Sequence, residues 1–409
     1  MRAGGHGRGG LRAAYTGELC LVMSLTVLPR LTSPSSRPLQ VVFLACNKHP
    51  DRFAEDGSFT YRCDNLAHAL RRVGHRVHLA HYTRWSPRQP ADVVVFHRPR
   101  MNWRLRWLLW WLRRRGTTVV ADVDDLVFRP ELASLSPAVS NGVLPQSEIE
   151  KQFRQHQQAL AQFTLISAST RPLLEELSGQ RRQGHTGLIW LPNTVHQRWR
   201  DLAENEAWHP PAPPPRLIRY LPGTRSHDRD FALIAPVLQA CLRARPAWQL
   251  ELVGPLSAQL DVPSHQLRRR DKLPFDQYHQ VVRGAALNLA PLEDTRFTRC
   301  KSAVKVMEAA FWGVPTLCSP IEDAMRLEGA GAVLARTPAD WGPMLMRACD
   351  DPHWLAAQSA HLRLRMLPHA DVEAQAQRWL AALGLVAPPE WHDTVWHDTV
   401  MMPMGDEGA

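Results

Sequence analysis

The sequence predicts an α/β protein built from two parallel-sheet domains in tandem that face one another across a cleft. Three observations predict this. Short apolar segments alternate with helix-length stretches between residues 40 and 318, the rhythm stops at one proline run and then restarts, and 409 residues suffice for two cores at roughly 100–200 residues each. Strands separated by stretches of crossover length form βαβ units, and therefore parallel sheets that bind ligands at the carboxyl ends of their strands.

Gln40–Cys46 is a near-continuous apolar run, the pattern of a strand buried on both faces. A polar loop follows, then a helix from about Tyr61 with Leu66, Leu70 and Val73 on one face; it ends at Gly74, where a left-handed C-terminal residue is wanted. Strands are expected at Arg76–His81, Asp92–Phe96, Thr117–Ala121, Phe163–Ser167 and Gly187–Leu191, with helical stretches between them. The run PPAPPP at Pro210–Pro215 stiffens the backbone and ends any element, which makes it the domain boundary. Beyond it, strands are expected at Leu217–Leu221, Gln249–Val253, Ala286–Pro291 and Val314–Cys318. Helices are expected at Asp230–Leu242, Phe275–Gly284 and Lys301–Trp312. Two last helices, about Pro352–Met366 and Asp371–Leu383, pack outside the second domain or reach back across the cleft. The expected organisation is a disordered extension (1–38), a first domain (39–209), a Pro-rich linker (210–215), a second domain with terminal helices (216–387) and a disordered tail (388–409).

Composition narrows the class. No apolar run approaches the ~18–20 residues of a membrane span. Leu19–Leu28 is short, lacks an A-x-A-like site and is followed by Pro29-Arg30, so it reads as part of the extension, with Met23 as an alternative start. Seven cysteines, odd in number and never spaced C-x-x-C, disfavour a disulfide framework or a zinc site and fit a reducing cytosol. WHDTV occurs twice in tandem from Trp391, a duplication in the tail rather than a metal site. The net charge of +10 is unevenly placed: residues 1–200 hold 28 Lys+Arg and 14 Asp+Glu, a net of +14, and the remainder is −4. Nucleic-acid binding predicts basic residues on both halves, and the second half contradicts it.

Two stretches carry candidate donor chemistry. Tyr220–Phe231 is a strand ending in Pro222-Gly223-Thr224 before a helix. Backbone N–H groups at such a junction, with Arg225 and Arg229, can hold phosphate. Asn288–Pro320 runs from a buried strand through Glu293, Asp294 and Thr295 into a helix carrying Lys301, Lys305 and Glu308 at i, i+4 and i+7, one face of that helix. A solvated lysine–glutamate face is the plain alternative; placement at the carboxyl edge of a parallel sheet favours reading a nucleotide.

With these residues the chain resembles GT-B glycosyltransferases of the family 4 type over about Val41–Leu385, most strongly in Arg216–Pro320. The first domain contributes Asn47–His81 and the Leu191-Pro192-Asn193 turn. The resemblance implies two Rossmann-like domains, a donor nucleotide sugar in the second and an acceptor in the first. It makes Glu308 the carboxylate that grips ribose hydroxyls, sets Arg229 on the donor diphosphate, and puts Gly223-Thr224 where a Gly-Arg pair opens that loop. The chain departs from the family's E-x7-E spacing, because Cys300 stands where the first carboxylate belongs. Lys301 and Ser302 follow it, and Glu293 and Asp294 are the acids expected to reach in instead of the missing group. In TTVVADVDDL, Asp124 takes the place of the family's histidine and Asp125 that of its aspartate. Three acids this close (Asp122, Asp124, Asp125) disfavour one another unless cations or hydroxyls satisfy them. They are read as binding sugar hydroxyls or activating the acceptor hydroxyl, with metal binding as the competing use. The resemblance implies metal-independent, configuration-retaining chemistry with no cofactor beyond the nucleotide sugar.

Arg98–Gly116 holds seven arginines, four tryptophans and no acid. It reads as a crossover helix that also lies against anionic lipid through Arg98–Arg115. The functional expectation is a cytoplasmic glycosyltransferase, peripheral on the inner face of the plasma membrane, acting on a saccharide or lipid-linked saccharide. The alternatives are a degenerate GT-B binder of nucleotide or sugar and, less favoured, a nucleic-acid-binding protein.

Overall fold

The computed structural model describes residues 37–179, 187–207, 209, 215–223 and 227–386. The tail with its tandem repeat, Thr224 with Arg225, and the expected extension and proline run except residues 37, 38 and 215 lie outside these residues. In the first lobe, β1 (Gln40–Ala45), β2 (Arg76–His81), β3 (Val93–His97), β4 (Thr118–Val123), β5 (Leu165–Ala168) and β6 (Gly187–Trp190) form one sheet in the order β2-β1-β3-β4-β5-β6. In the second lobe, β7 (Leu217–Tyr220), β8 (Gln249–Val253), β9 (Leu267–Arg270), β10 (Leu287–Ala290), β11 (Thr316–Cys318) and β12 (Ala332–Leu334) take the order β12-β11-β10-β7-β8-β9. Every strand pairing is parallel, in agreement with the α/β class read from the sequence.

Strand order reverses between β1 and β3 in the first sheet and between β7 and β10 in the second. A crevice opens at such a switch point because the flanking crossovers leave on opposite faces of the sheet. The lobes set these two crevices against each other, and the site below lies between them.

Several segments tie the lobes together, two of them by inserting second-lobe side chains into first-lobe cores. The helix Val372–Ala382, capped by Asp371, returns to the first lobe and stacks Trp379 on Phe43, with ring centroids 6.0 Å apart, in the core that also holds Leu66 and Leu70. The short helix Arg296–Arg299 after β10 inserts Phe297, with Cys300 at its end, into the other first-lobe core, where Phe297 stacks on Phe153. Among the described residues, no helix is long and apolar enough to cross a membrane.

Several boundaries differ from the expectation. The first helical stretch begins at Gly57 rather than Tyr61, because Asp56 accepts the Ser58 amide and caps it there, and a π-turn at Thr60–Asp64 carries it into Asn65–Arg72. Pro236 cannot donate within a helix, and the expected 230–242 helix divides into Asp228–Ala232 and Ala235–Arg243. The expected 352–366 helix breaks at His361, which adopts φ +53°. The expected 301–312 helix starts only at Val304, so Lys301 sits on the loop ahead of it and not on the face shared by Lys305 and Glu308. The edge strand β9 is three-quarters arginine and lacks the apolar signature of a strand, and β12 is only three residues long; neither was legible as a strand.

Candidate active site

A cleft of about 860 Å³ separates the lobes. Ser58, Tyr61, Arg98, Asp124, Asp125 and Asn193 line it from the first lobe, and Gly223, His227, Lys301, Ser302, Lys305 and Glu308 from the second.

The first-lobe wall rests on a buried ion network. Asp122, at 1% exposure, receives Arg62 through Nη2 at 2.6 Å and Nε at 3.0 Å, His97 Nδ1 at 3.0 Å and Ser167 Oγ at 2.7 Å. Burial pushes this carboxyl up, but Arg62 and His97 outweigh burial and hold it well below the usual carboxylate range. Asp122 therefore has a structural explanation: every oxygen is satisfied inside the protein.

Asp124 faces the cleft. It accepts Arg98 Nε at 2.6 Å and Ser58 Oγ at 2.5 Å. Burial raises its pKa, yet Arg98 and His97 bring it down to about 2. Ser58 Oγ also lies 2.8 Å from His97 Nε2. One hydroxyl hydrogen cannot serve both neighbours: when Ser58 donates to Asp124, the hydrogen between Ser58 and the ring must come from Nε2. The side chains Asp124, Ser58, His97 and Asp122 thus form a continuous hydrogen-bonded chain from the cleft into the core.

Arg98 reaches Asp124 by holding φ +49°, a left-handed conformation that costs a non-glycine residue about 1–3 kcal/mol. Its Nη2 also lies 3.8 Å from Asp125, and Lys301 Nζ approaches Asp125 from the second lobe at 3.8 Å. The three neighbouring acids are satisfied by three cations, Arg62, Arg98 and Lys301, and by the Ser58 and Ser167 hydroxyls.

Across the cleft, Glu308 is 4% exposed on the helix Val304–Phe311. Burial raises its carboxyl to about 7, against the opposing pull of the Tyr61 hydroxyl and Lys305. Tyr61 crosses from the first lobe to donate to Glu308 Oε1. Lys305 lies one turn nearer the helix start, 5.5 Å over the Tyr220 ring, and burial lowers it to about 8. Asp323 accepts from Ala303 N at 2.7 Å and Ser302 Oγ at 3.1 Å, fixing the entry to this helix with its N-terminus toward the cleft. Gly223 adopts φ +76° and the neighbouring Gly254 φ +115°, backbone conformations that side-chain-bearing residues rarely adopt. His227, held by Asp230 at 2.8 Å, is pushed down to about 4 by burial and by Lys305.

Other candidate residues lie apart from the cleft lining. Arg229 is 56% exposed and pairs with Glu293 at 2.8 Å, while its amide donates to Asn141 of the first lobe. Asp294 pairs with Arg299 at the surface. Thr224 falls outside the described residues. Cys300 is buried in the first-lobe core, and its carbonyl accepts Thr170 Oγ1 across the lobes at 2.9 Å.

Sequence reasoning missed Ser58, Tyr61, Arg98 and His97 as site residues. His97, at the carboxyl end of the adjacent strand β3, touches Asp124 through Ser58. The available signal was the sharp change from the apolar Val93–Phe96 to His97-Arg98 at the end of a buried strand.

No family model matches the chain, and no curated protein does. Among solved structures, it is similar to trehalose-6-phosphate from E. coli bound with UDP-2-fluoro glucose, at 13% identity and TM-score 0.54, with 86% of this chain and 100% of the other covered. It is also similar to the alpha,alpha-trehalose 6-phosphate synthase of Burkholderia multivorans, at 12% identity and TM-score 0.50, with 85% and 98% covered. At these identities the likeness shows the fold, the GT-B arrangement of two Rossmann-like lobes.

Proposed function

We propose that this protein is a glycosyltransferase that moves a sugar from a nucleotide donor in the second lobe to a hydroxyl of a saccharide or lipid-linked saccharide in the first. The observation that carries the proposal is the facing of two chemistries across one cleft in a GT-B fold: Glu308, Lys305 and a helix N-terminus on one wall, and Asp124 and Asp125 on the other. Glu308 takes the ribose hydroxyls once Tyr61 withdraws. Lys301, Lys305 and the helix start at Ser302–Val304 neutralise the diphosphate as charge develops on it in the transition state, with Gly223 lining the same cleft. This set of donors stabilises the leaving group without a metal.

Asp125 is the carboxylate proposed to meet the acceptor hydroxyl. Asp124, at about 2, holds a proton too weakly to act as an efficient base near neutrality, so its role is to orient that hydroxyl together with Ser58. Arg229, Glu293 and Asp294 reach the donor only if their present pairs rearrange on binding. Closure of the lobes excludes water from the transfer. Retention of configuration, a role in cell-surface polysaccharide or glycolipid synthesis, and a cytoplasmic location at the inner membrane face complete the reading.

One observation favours a second reading, a GT-B protein that binds nucleotide or sugar without catalysis: the position expected to hold a donor-facing carboxylate is Cys300, buried away from the cleft. A thermal-shift screen against UDP-, GDP-, ADP- and CMP-sugars tests binding, since a donor at ~100 times its Kd stabilises by about 2.7 kcal/mol. Transfer or donor hydrolysis that is lost in both Glu308→Ala and Asp124→Ala supports the enzyme. Survival of activity in both overturns the site assignment, and binding with no turnover of any donor supports the second reading.

A further inference from the structure

The crossover helix Trp103–Arg114 has two distinct faces. Leu105, Leu108, Leu109 and Leu112 are buried against the first sheet. On the opposite side, Trp103 is 78% exposed, Trp107 43% and Trp110 53%. At 3.6 residues per turn, these three and the exposed Arg106, Arg113 and Arg114 fall within an arc of about 120°. A helix that only covers a sheet needs polar residues on its outer face, and three tryptophans there are a standing exposure of apolar surface. The leucines pack inward, and Trp103, Trp107 and Trp110 share the outer face with the arginines.

We propose that this face is a bilayer-docking surface that inserts Trp103, Trp107 and Trp110 at the headgroup level of a membrane containing anionic phospholipid. Tryptophan suits that depth because its ring is apolar and its N–H is not. The arginines supply charge complementarity: Arg106, Arg113 and Arg114 surround a groove of about 420 Å³ beside Trp110, a cradle for a phosphate headgroup. There is no acidic residue from Arg98 to Gly116 to repel it. Stacking on single-stranded nucleic acid is less well served, because Arg114 already covers one face of the Trp110 ring at 4.8 Å.

The face is rigid and close to the cleft. Asn102 caps the helix by accepting Leu105 N and anchors to the Tyr82 hydroxyl. Trp103 follows Arg98 by five residues, a reach of at most about 18 Å. Arg98 is bound to Asp124 in the cleft wall, so docking brings the acceptor side of the cleft to the bilayer surface, where a lipid-linked acceptor would present its sugar. That last consequence rests on the proposed transferase reading; the docking itself does not.

The test is sedimentation of the full chain with phosphatidylcholine vesicles, with and without about 30% phosphatidylglycerol, at about 0.1 M salt. Trp103→Ala/Trp107→Ala/Trp110→Ala is expected to lower partition onto anionic vesicles by roughly ten-fold or more. Arg106→Gln/Arg113→Gln is expected to lower it by about 25-fold, near five-fold per charge, with little change on neutral vesicles. Quenching by brominated lipid is expected in the wild type and lost in the tryptophan variant. Unchanged partition in either variant overturns the proposal, as does wild-type binding to an oligothymidylate that depends on the same tryptophans. The nucleotide-sugar thermal shift of each variant is expected to equal the wild type, so a failure of docking is read separately from a failure of the transferase assignment.

Discussion

Replacing Glu308 by glutamine should stabilise the protein above neutral pH while abolishing donor binding. The carboxyl is raised from an ordinary 4.5 to about 7 by burial, a gap worth roughly 3 kcal/mol. The sign is the reverse of a salt-bridged acid. Between pH 4.5 and 7 the folded state keeps a proton that the unfolded chain has released, so stability falls as pH rises through that window and the loss is complete above 7. Glutamine is isosteric and neutral throughout, and its amide oxygen still accepts from Tyr61. Relative to wild type, Glu308→Gln should be near neutral at pH 4.5 and more stable by up to about 3 kcal/mol at pH 8. That corresponds to several degrees in Tm, at roughly 2–4 °C per kcal/mol for a lobe of this size. Lys305, lowered to about 8, contributes its own slope only above that pH and leaves the window clear. Differential scanning fluorimetry of both proteins at pH 4.5, 6 and 8, without ligand and with the donor found by screening, measures each part. A variant that is equally destabilised at every pH refutes the buried, proton-holding carboxylate, and one that keeps the donor-induced shift refutes its role as the ribose ligand.

Three further outcomes are expected. Asp122→Asn leaves Arg62 buried without its carboxylate, and breaking such a pair costs about 3–5 kcal/mol, so a large drop in Tm or loss of soluble protein should follow. Tyr61→Phe removes a hydroxyl that the ribose must displace from Glu308, and donor affinity should rise by roughly three- to ten-fold. Because Glu308 then loses a bond that lowers its pKa, the gain should appear by calorimetry above pH 8, where the carboxylate form dominates. Cys300→Glu should not create a donor contact; it should lower Tm by an amount matching several kcal/mol, because the new carboxyl would enter the first-lobe core.

The fold was legible because its signals are local. Val41–Ala45 and Val93–Phe96 are buried on both faces and so read as unbroken apolar runs, and Gly74, at φ +94°, ends its helix where the sequence places it. Lys305 and Glu308 were legible for the same reason, one helix face at the end of a parallel sheet. What was not legible depends on separation in sequence. Arg62 meets Asp122 across 60 residues, Tyr61 meets Glu308 across 247, and neither partner carries a pattern in its own neighbourhood that announces the other. Ser58 was hidden for a further reason: its hydroxyl has a role only because Asp56 starts the helix four residues earlier than the apolar periodicity suggests.

Cys300 joins these two kinds of information. As a sequence position it marks a missing carboxylate; in the fold it is part of the plug, with Phe297, that seats the second lobe on the first. The backbone that would aim a carboxylate at a donor sugar instead aims the side chain into an apolar core, where burial raises even the thiol to about 12. A small, weakly polar side chain is the tenable choice there. The acid nearest Lys301 in the cleft is Asp125, from the opposite lobe, at 3.8 Å. On the proposed reading, the carboxylate that meets Lys301 at the donor site comes from the first lobe and stands in place only while the lobes are docked. The contact that buries Cys300 in the first lobe is thus also the contact that brings Asp125 to Lys301 at the cleft.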